Sequence, residues 1–502
     1  MSKTGAHELD PLMFVRGQLS ARDQGVLGDG AGVRLPTIRR ARAEAVLLGS
    51  GLHELLACVL YPGRLTGAGL SVGERLEILL AMAAGYHRYE PSSLYRGHRA
   101  YPSPRSLFAA EVFVTVGHLT WYFDAEGHRC VVVGEDAEAD PPPPWQAADS
   151  HGGAVIVVAA HLGTLPPSYL DLRWSLLLCE SGHAAGSLAT VATMLGLEPR
   201  VRFGFDDEES CRRIGAKRGD GWLPVLEVEV GVGGTPPRAV VGESPPKEEV
   251  PGERDAVLAA DRLGWLAAEQ VRDWENLAPV EAPDLVGEGA LRFPLRPGAP
   301  PSRPWRDVLF ERSGGRAHYG FSASPETLPV NVLADALHAA SGSAGSPVAP
   351  LSRTRTGVRL LLVIERVESL PDGLYQWCPD EGELALLRAG ELMEQFEMAY
   401  PYPKTIMRLG TANVGFLFLL DLAAVHARHG ARGLRASHVE MGAALQAIGF
   451  SNAAHGMFTR PLRSFAPDAL ARLVAAPGHL DVAYTAVMGK DRFVELTLDL
   501  RP

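Results

Sequence analysis

Apolar and polar positions follow one order of elements that occurs twice along the chain. AAEVFVTV (109–116) has the aromatic and β-branched character of a strand. LTWYFDAEGHRCVVV (119–133) reads as two strands around a polar turn. AVIVVAAHL (154–162) is a continuous apolar run of strand length, and CESGHAAGSLATVATMLGLEP (179–199) predicts a Gly-bearing helix. WLPVLEVEVG (222–231) closes the series as a strand. The order returns downstream in VRLLLVIERV (358–367), GLYQWCPDEGELALL (373–387), NVGFLFLLDL (413–422), a helix over VEMGAALQAIGF (439–450), and the strand VAYTAVMG (482–489). Each series is preceded by an arginine, a loop and an amphipathic helix ending in glycine, at 61–85 and 312–342.

In this pairing Arg64 corresponds to Arg316, Gly85 to Gly342, Glu180 to Glu440 and Gly182 to Gly442. The second Gly-bearing helix reads about two turns shorter than the first. Two copies of one plan point to internal duplication. Helices mixed with strand pairs predict an α+β layered fold. The expected organisation is an extension over 1–48, a first domain over 49–232, a connecting region over 233–304 and a second domain over 305–502. The connection carries two Pro/Gly-rich stretches, 233–254 and 296–304, around a helical patch at Ala256–Trp274.

Bulk properties narrow the function. A chain of 502 residues exceeds one core. The net charge of −11 argues against a broad nucleic-acid interface, which needs a basic face. Cys58, Cys130, Cys179, Cys211 and Cys378 are scattered without a CxxC spacing, which suits a reducing compartment. The opening MSKTGAHELDPLMF lacks an apolar signal core, and no run approaches the ~20 apolar residues of a membrane span, so a cytoplasmic protein without a membrane partner is expected. HEL at 53–55 is not HExxH, and His426 and His429 have no third clear ligand, so no metal is expected. No P-loop or GxGxxG signature stands out.

Three stretches carry a family resemblance: RAYPSPRSLFAAEVFV (99–114), FERSGGRAHYG (310–320) and ARHGARGLRASHVEMG (427–442). Over most of 50–232 and 305–490 the pattern resembles the nitroreductase superfamily, and within it the SagB/McbC-type dehydrogenases of azole-containing peptide pathways, in a tandem-domain form. The resemblance implies two nitroreductase-like α+β sandwich domains forming an intramolecular pseudo-dimer, as a monomer or a higher oligomer. It implies FMN held between the copies, the phosphate arginines coming from one and a Pro-Ser turn from the other. The second half keeps Arg312, Ser313 and Arg316, and the first keeps Pro102, Ser103 and Arg105. The reverse combination has only Arg64 and the segment SRTRTG (352–357), so one competent and one degenerate site are expected.

The chemistry follows from that reading. Planar guanidinium forks and the backbone amides of Gly314-Gly315 suit a phosphate. The segment 449–463, expected as a loop after the last core helix, offers Phe450, Ser451, Asn452, Arg460 and Arg463 to the flavin. The implied reaction oxidises thiazolines or oxazolines to thiazoles or oxazoles in a ribosomally made peptide such as a thiopeptide precursor, and a cyclodehydratase complex is the expected partner. Where the family pattern has Lys-Tyr, this chain has Arg428-His429, and the first half reads TLPPSYLDLRW (164–174). His429 is the expected base, with an ordinary pKa near 6.5 that Arg428 would lower. Tyr402 and Lys404, in the Pro-bounded AYPYPK, are the next candidates. Two other readings are a NAD(P)H-dependent flavin reductase or nitroreductase and a flavin-free scaffold subunit of a peptide-modifying complex.

Overall fold

The computed structural model describes residues 44–46, 56–65, 69–91, 93, 95–133, 141–169, 172–216, 221–231, 274, 278–282, 284–315, 321–342, 351–493 and 496–501. Arg316, the stretch 233–254 and most of the expected helical patch before Trp274 lie outside them.

Each half is built on a seven-stranded sheet. The first runs Glu44–Val46, Arg129–Val133, Leu119–Asp124, Ala110–Val116, Gly153–His161, Trp222–Gly231, Arg200–Arg202. The second runs Arg292–Pro294, Glu383–Ala389, Gly373–Cys378, Arg359–Ile364, Val414–Leu420, Asp481–Lys490, Met457–Leu462, the same order of elements. All neighbours in both sheets are antiparallel. Central strands such as VGFLFLL (414–420) are buried on both faces, which explains their unbroken apolar runs. The chain is therefore two tandem α+β halves forming an intramolecular pseudo-dimer.

One register relates the later parts of the halves. Met194 and Ala454 end the two long helices, and Asp207 and Pro467 begin the next ones; each pair is 260 positions apart. The expected length difference is reversed: Leu172–Met194 has 23 residues and Leu422–Ala454 has 33. The second helix continues backward through a break at Gly430 (φ 62°, ψ −161°), which carries it past Arg428 and His429. It also runs further forward than expected. Phe450, Ser451 and Asn452 are in its last turns, and Met457–Leu462 is a strand, so 449–463 is not a loop.

The two long helices cross at their glycines. A Cβ on Gly182 would lie 2.4 Å from the Val439 carbonyl oxygen, and one on Gly442 2.2 Å from that of Cys179. Chain ends tie the halves further. Leu498–Asp499 pairs with Tyr86–Tyr89 of the first half. The Trp305 indole N–H donates to the Gly63 carbonyl, and its ring meets Tyr61 edge-on at 4.8 Å. Among the described residues no helix is long and apolar enough to cross a membrane.

Candidate functional site

The pseudo-symmetry creates two related junctions between the halves. By the 260-residue register Tyr169 corresponds to His429, and Arg463 to Phe203. The junctions differ in chemistry.

The first junction is cationic. Arg463 follows the Met457–Leu462 edge strand and is 4% exposed. Its three guanidinium nitrogens are buried without a hydrogen-bond partner among the described residues. Burial pushes its pKa down to about 10, countered by Cys179 and Tyr484. Its guanidinium lies 5.2 Å from the centre of the Phe465 ring. A buried unpaired cation is costly unless something anionic completes it. Arg460 donates to the Gly314 carbonyl at 2.8 Å and sits 5.1 Å from the Phe321 ring centre. The neighbouring Ser313 hydroxyl accepts from Gly315 N–H, and Gly315 holds φ 88°, a left-handed turn that suits glycine. Asn452 supports this corner through Thr459: its amide donates to the Thr459 hydroxyl at 2.6 Å, and Thr459 N–H donates to the Ser313 carbonyl.

The first half supplies the opposite wall. Ser103 donates to the Glu180 carboxyl at 3.0 Å and accepts from Phe108 N–H at 2.8 Å. Glu180 also accepts from Ala110 N–H, and burial pushes its pKa up to about 7 against these hydrogen bonds. Arg105, Ser106 and Phe108 all have positive φ, so the turn after Pro102-Ser103 is strained. Arg105 lies over the Tyr169 ring at 5.1 Å. Burial pushes the Tyr169 phenol up to about 12, Arg105 pulling the other way. Tyr402, hydrogen-bonded to Ser464, is coupled to Arg460, Tyr95 and Arg105, and burial raises its pKa as well.

Other expected residues have different duties. Arg312 is buried and donates to the carbonyls of Arg99 (3.1 Å) and Tyr101 (3.4 Å), so part of its fork holds the first half's backbone. Phe450 packs edge-on against Trp305 at 5.9 Å, and Ser451 hydrogen-bonds Tyr61, so both serve the interior. Lys404 is half-exposed and held by Glu394 and Glu397, whose carboxylates raise its pKa; an ion-paired, protonated ammonium is a poor base. Arg428 is exposed.

His429 belongs to the second junction. Its Nε2 faces the Arg355 carbonyl at 3.2 Å, and its ring is 5.0 Å from that of Trp274. Burial lowers its pKa, with Arg428 and Arg355 adding repulsion and the Arg355 carbonyl opposing. The Trp274 ring is also 6.2 Å from that of Phe203. Asp207, fully buried, binds Arg432 at 2.7 Å and Arg435 at 2.8 Å here. Sequence reading passed over Tyr169, which holds in the first half the position of His429; the TLPPSYLDLRW loop read alone has no signal for it, and only the common register finds it.

No protein-family model matches the chain, and no curated protein matches it. A solved structure from Anabaena variabilis, described provisionally as a nitroreductase, is similar at 15% identity over 96% of this chain and 100% of that one, with a TM-score of 0.69. Another from Ralstonia eutropha, described in the same way, has 19% identity over 44% of this chain and 97% of that one, with a TM-score of 0.33. The E. coli microcin synthetase McbBCD complex with truncated pro-MccB17 bound has 16% identity over 36% of this chain and 71% of the matched chain, with a TM-score of 0.31. The first similarity spans both halves and shows a nitroreductase-like fold.

Proposed function

We propose that this chain is an FMN-dependent oxidoreductase with one flavin site, at the first junction, and that it oxidises peptide azolines to azoles. The observation that carries the cofactor reading is Arg463, a buried guanidinium with unpartnered nitrogens at a junction where its register mate is Phe203. A dianionic phosphate and a ring system able to carry negative charge match that donor set. Arg463, Arg460 and the Ser313–Gly315 turn would hold the anionic parts, and Ser103, Arg105 and Tyr169 would form the opposing wall. When bound, the flavin supplies a two-electron acceptor.

The azoline assignment rests on the resemblance of 99–114, 310–320 and 427–442 to azole-forming dehydrogenases. Such a peptide, and a cyclodehydratase that makes the azoline, are the partners of this reading. Tyr169 and Tyr402 stay neutral phenols at physiological pH, so they bind and orient the substrate as hydrogen-bonding groups. His429, at the other junction, then has no part in proton removal.

The test is the absorbance of the purified protein with released FMN counted per chain. About one FMN per chain is expected. Arg463→Leu should weaken FMN binding by about tenfold or more while raising the melting temperature of the flavin-free protein, because an unpaired buried charge is gone. Loss of two mass units from an azoline peptide, unchanged in His429→Ala, supports the dehydrogenase. Rapid bleaching by NAD(P)H without peptide oxidation favours the flavin reductase. A protein that takes up no FMN on reconstitution is a scaffold.

A further inference from the structure

The second junction has the same backbone plan as the first, yet its centre is filled. Trp274, 5% exposed, comes from the connection between the halves. Its ring is within 5.0 Å of His429 and 6.2 Å of Phe203, measured between ring centres. Those two residues are the register mates of Tyr169 and Arg463. The indole thus packs against both positions that Tyr169 and Arg463 hold at the first junction.

Three further observations make this an occupant rather than ordinary packing. The indole N–H is buried without a hydrogen-bond partner among the described residues, although buried tryptophans usually find one. Its main chain is held as well as its ring, the carbonyl accepting from Arg355 at 3.3 Å. The junction around it is cemented: Arg432 donates to the carbonyls of Phe203 and Phe205 and, with Arg435, grips Asp207. At the first junction the mates of Arg432, Arg435 and Asp207 are Leu172, Ser175 and Pro467, which cannot make such a lock.

We infer that Trp274 is a built-in occupant of the second junction, its indole standing against the positions that Tyr169 and Arg463 offer to a flat ring ligand at the first. The chain then has one ligand site per two junctions, and the closed one is held shut from within. Phe203 matches an apolar indole face; Arg463 in the same position matches a ring bearing negative charge. The identity of the ring at the first junction rests on the flavin reading; the filling of the second does not.

The test uses the full chain with Trp274 replaced, and free indole and FMN as probes. In Trp274→Gly, free indole should raise the melting temperature by a few degrees, as a ligand refilling its own cavity does, and should not raise that of the wild type. FMN uptake should stay at one equivalent in both, because Phe203 stands where the first junction has the unpaired Arg463 guanidinium. Trp274→Leu keeps apolar volume and serves if the glycine variant does not fold; it should also bind one FMN and lose only stability. Two FMN per wild-type chain, or a folded glycine variant that indole does not stabilise, overturns the inference; with the leucine variant alone, a second FMN does so. Indole rescue in a protein that takes up no FMN leaves Trp274 as the occupant and refutes the flavin reading instead.

Discussion

Glu180 shows how one side chain can report on the site. It is 1% exposed, and burial raises its pKa to about 7 although Ala110 N–H and Ser103 hydroxyl both donate to it. In the unfolded chain it ionises near 4.5. Between these values the unfolded chain releases a proton that the folded chain keeps, so this group makes stability fall as pH rises from 4.5 to 7. Below 4.5 both states are protonated, and above 7 the loss is complete. Glu180→Gln removes the effect. Urea unfolding across pH 4.5–8 should show the variant gaining on the wild type by up to about 1.4 kcal/mol per pH unit inside the window, and holding level above it. A difference that is flat with pH refutes the raised pKa.

Among elements, the crossing of the two long helices decides how closely the halves approach. The Cβ of an alanine at 442 would meet Cys179 oxygen at 2.2 Å and Gly182 Cα at 3.0 Å, both backbone atoms that cannot rotate away. Gly442→Ala should therefore destabilise the protein by about 1–3 kcal/mol or more, read from chemical denaturation. Gly478→Ala, whose added carbon has nothing within 4 Å, is the control and should be nearly neutral. Equal effects of the two changes would mean that the helices part without cost. The same crossing explains why Glu180 and Glu440 are paired: each receives hydrogen bonds from its own half's turn, Ser103 in one and Thr356 in the other.

For the whole molecule, Asp207 is a buried ionic tie between the halves. It sits in the Asp207–Arg213 helix of the first half and binds two arginines of the second half's long helix. Asp207→Asn leaves two buried guanidiniums facing each other, a loss of about 3–5 kcal/mol. Because the 498–499 strand, Trp305 and the helix crossing also span the halves, unfolding should remain one cooperative transition at a lower temperature. Coincident loss of circular dichroism and tryptophan fluorescence checks this. Two separated transitions would mean that the halves are independent domains.

The sequence by itself determined the duplication, the α+β class and the inner strands of both seven-stranded sheets, because buried strands are apolar runs whose character is local; the edge strands Glu44–Val46, Arg200–Arg202, Arg292–Pro294 and Met457–Leu462 carry no such run and were not read. It also marked Glu180 with Glu440 and Gly182 with Gly442, since glycines at a helix crossing have few substitutes. Helix ends were less legible: Gly430 looks like a terminus, yet the chain resumes the helix beyond it, and 449–454 carries small and polar residues that resemble a loop. Tertiary structure decided what no local pattern holds. Arg312 turned partly to backbone carbonyls, Lys404 to two carboxylates, and His429 to Trp274. Arg463 and Phe203 share one structural position with opposite chemistry, a difference that exists only once the two halves are folded against each other.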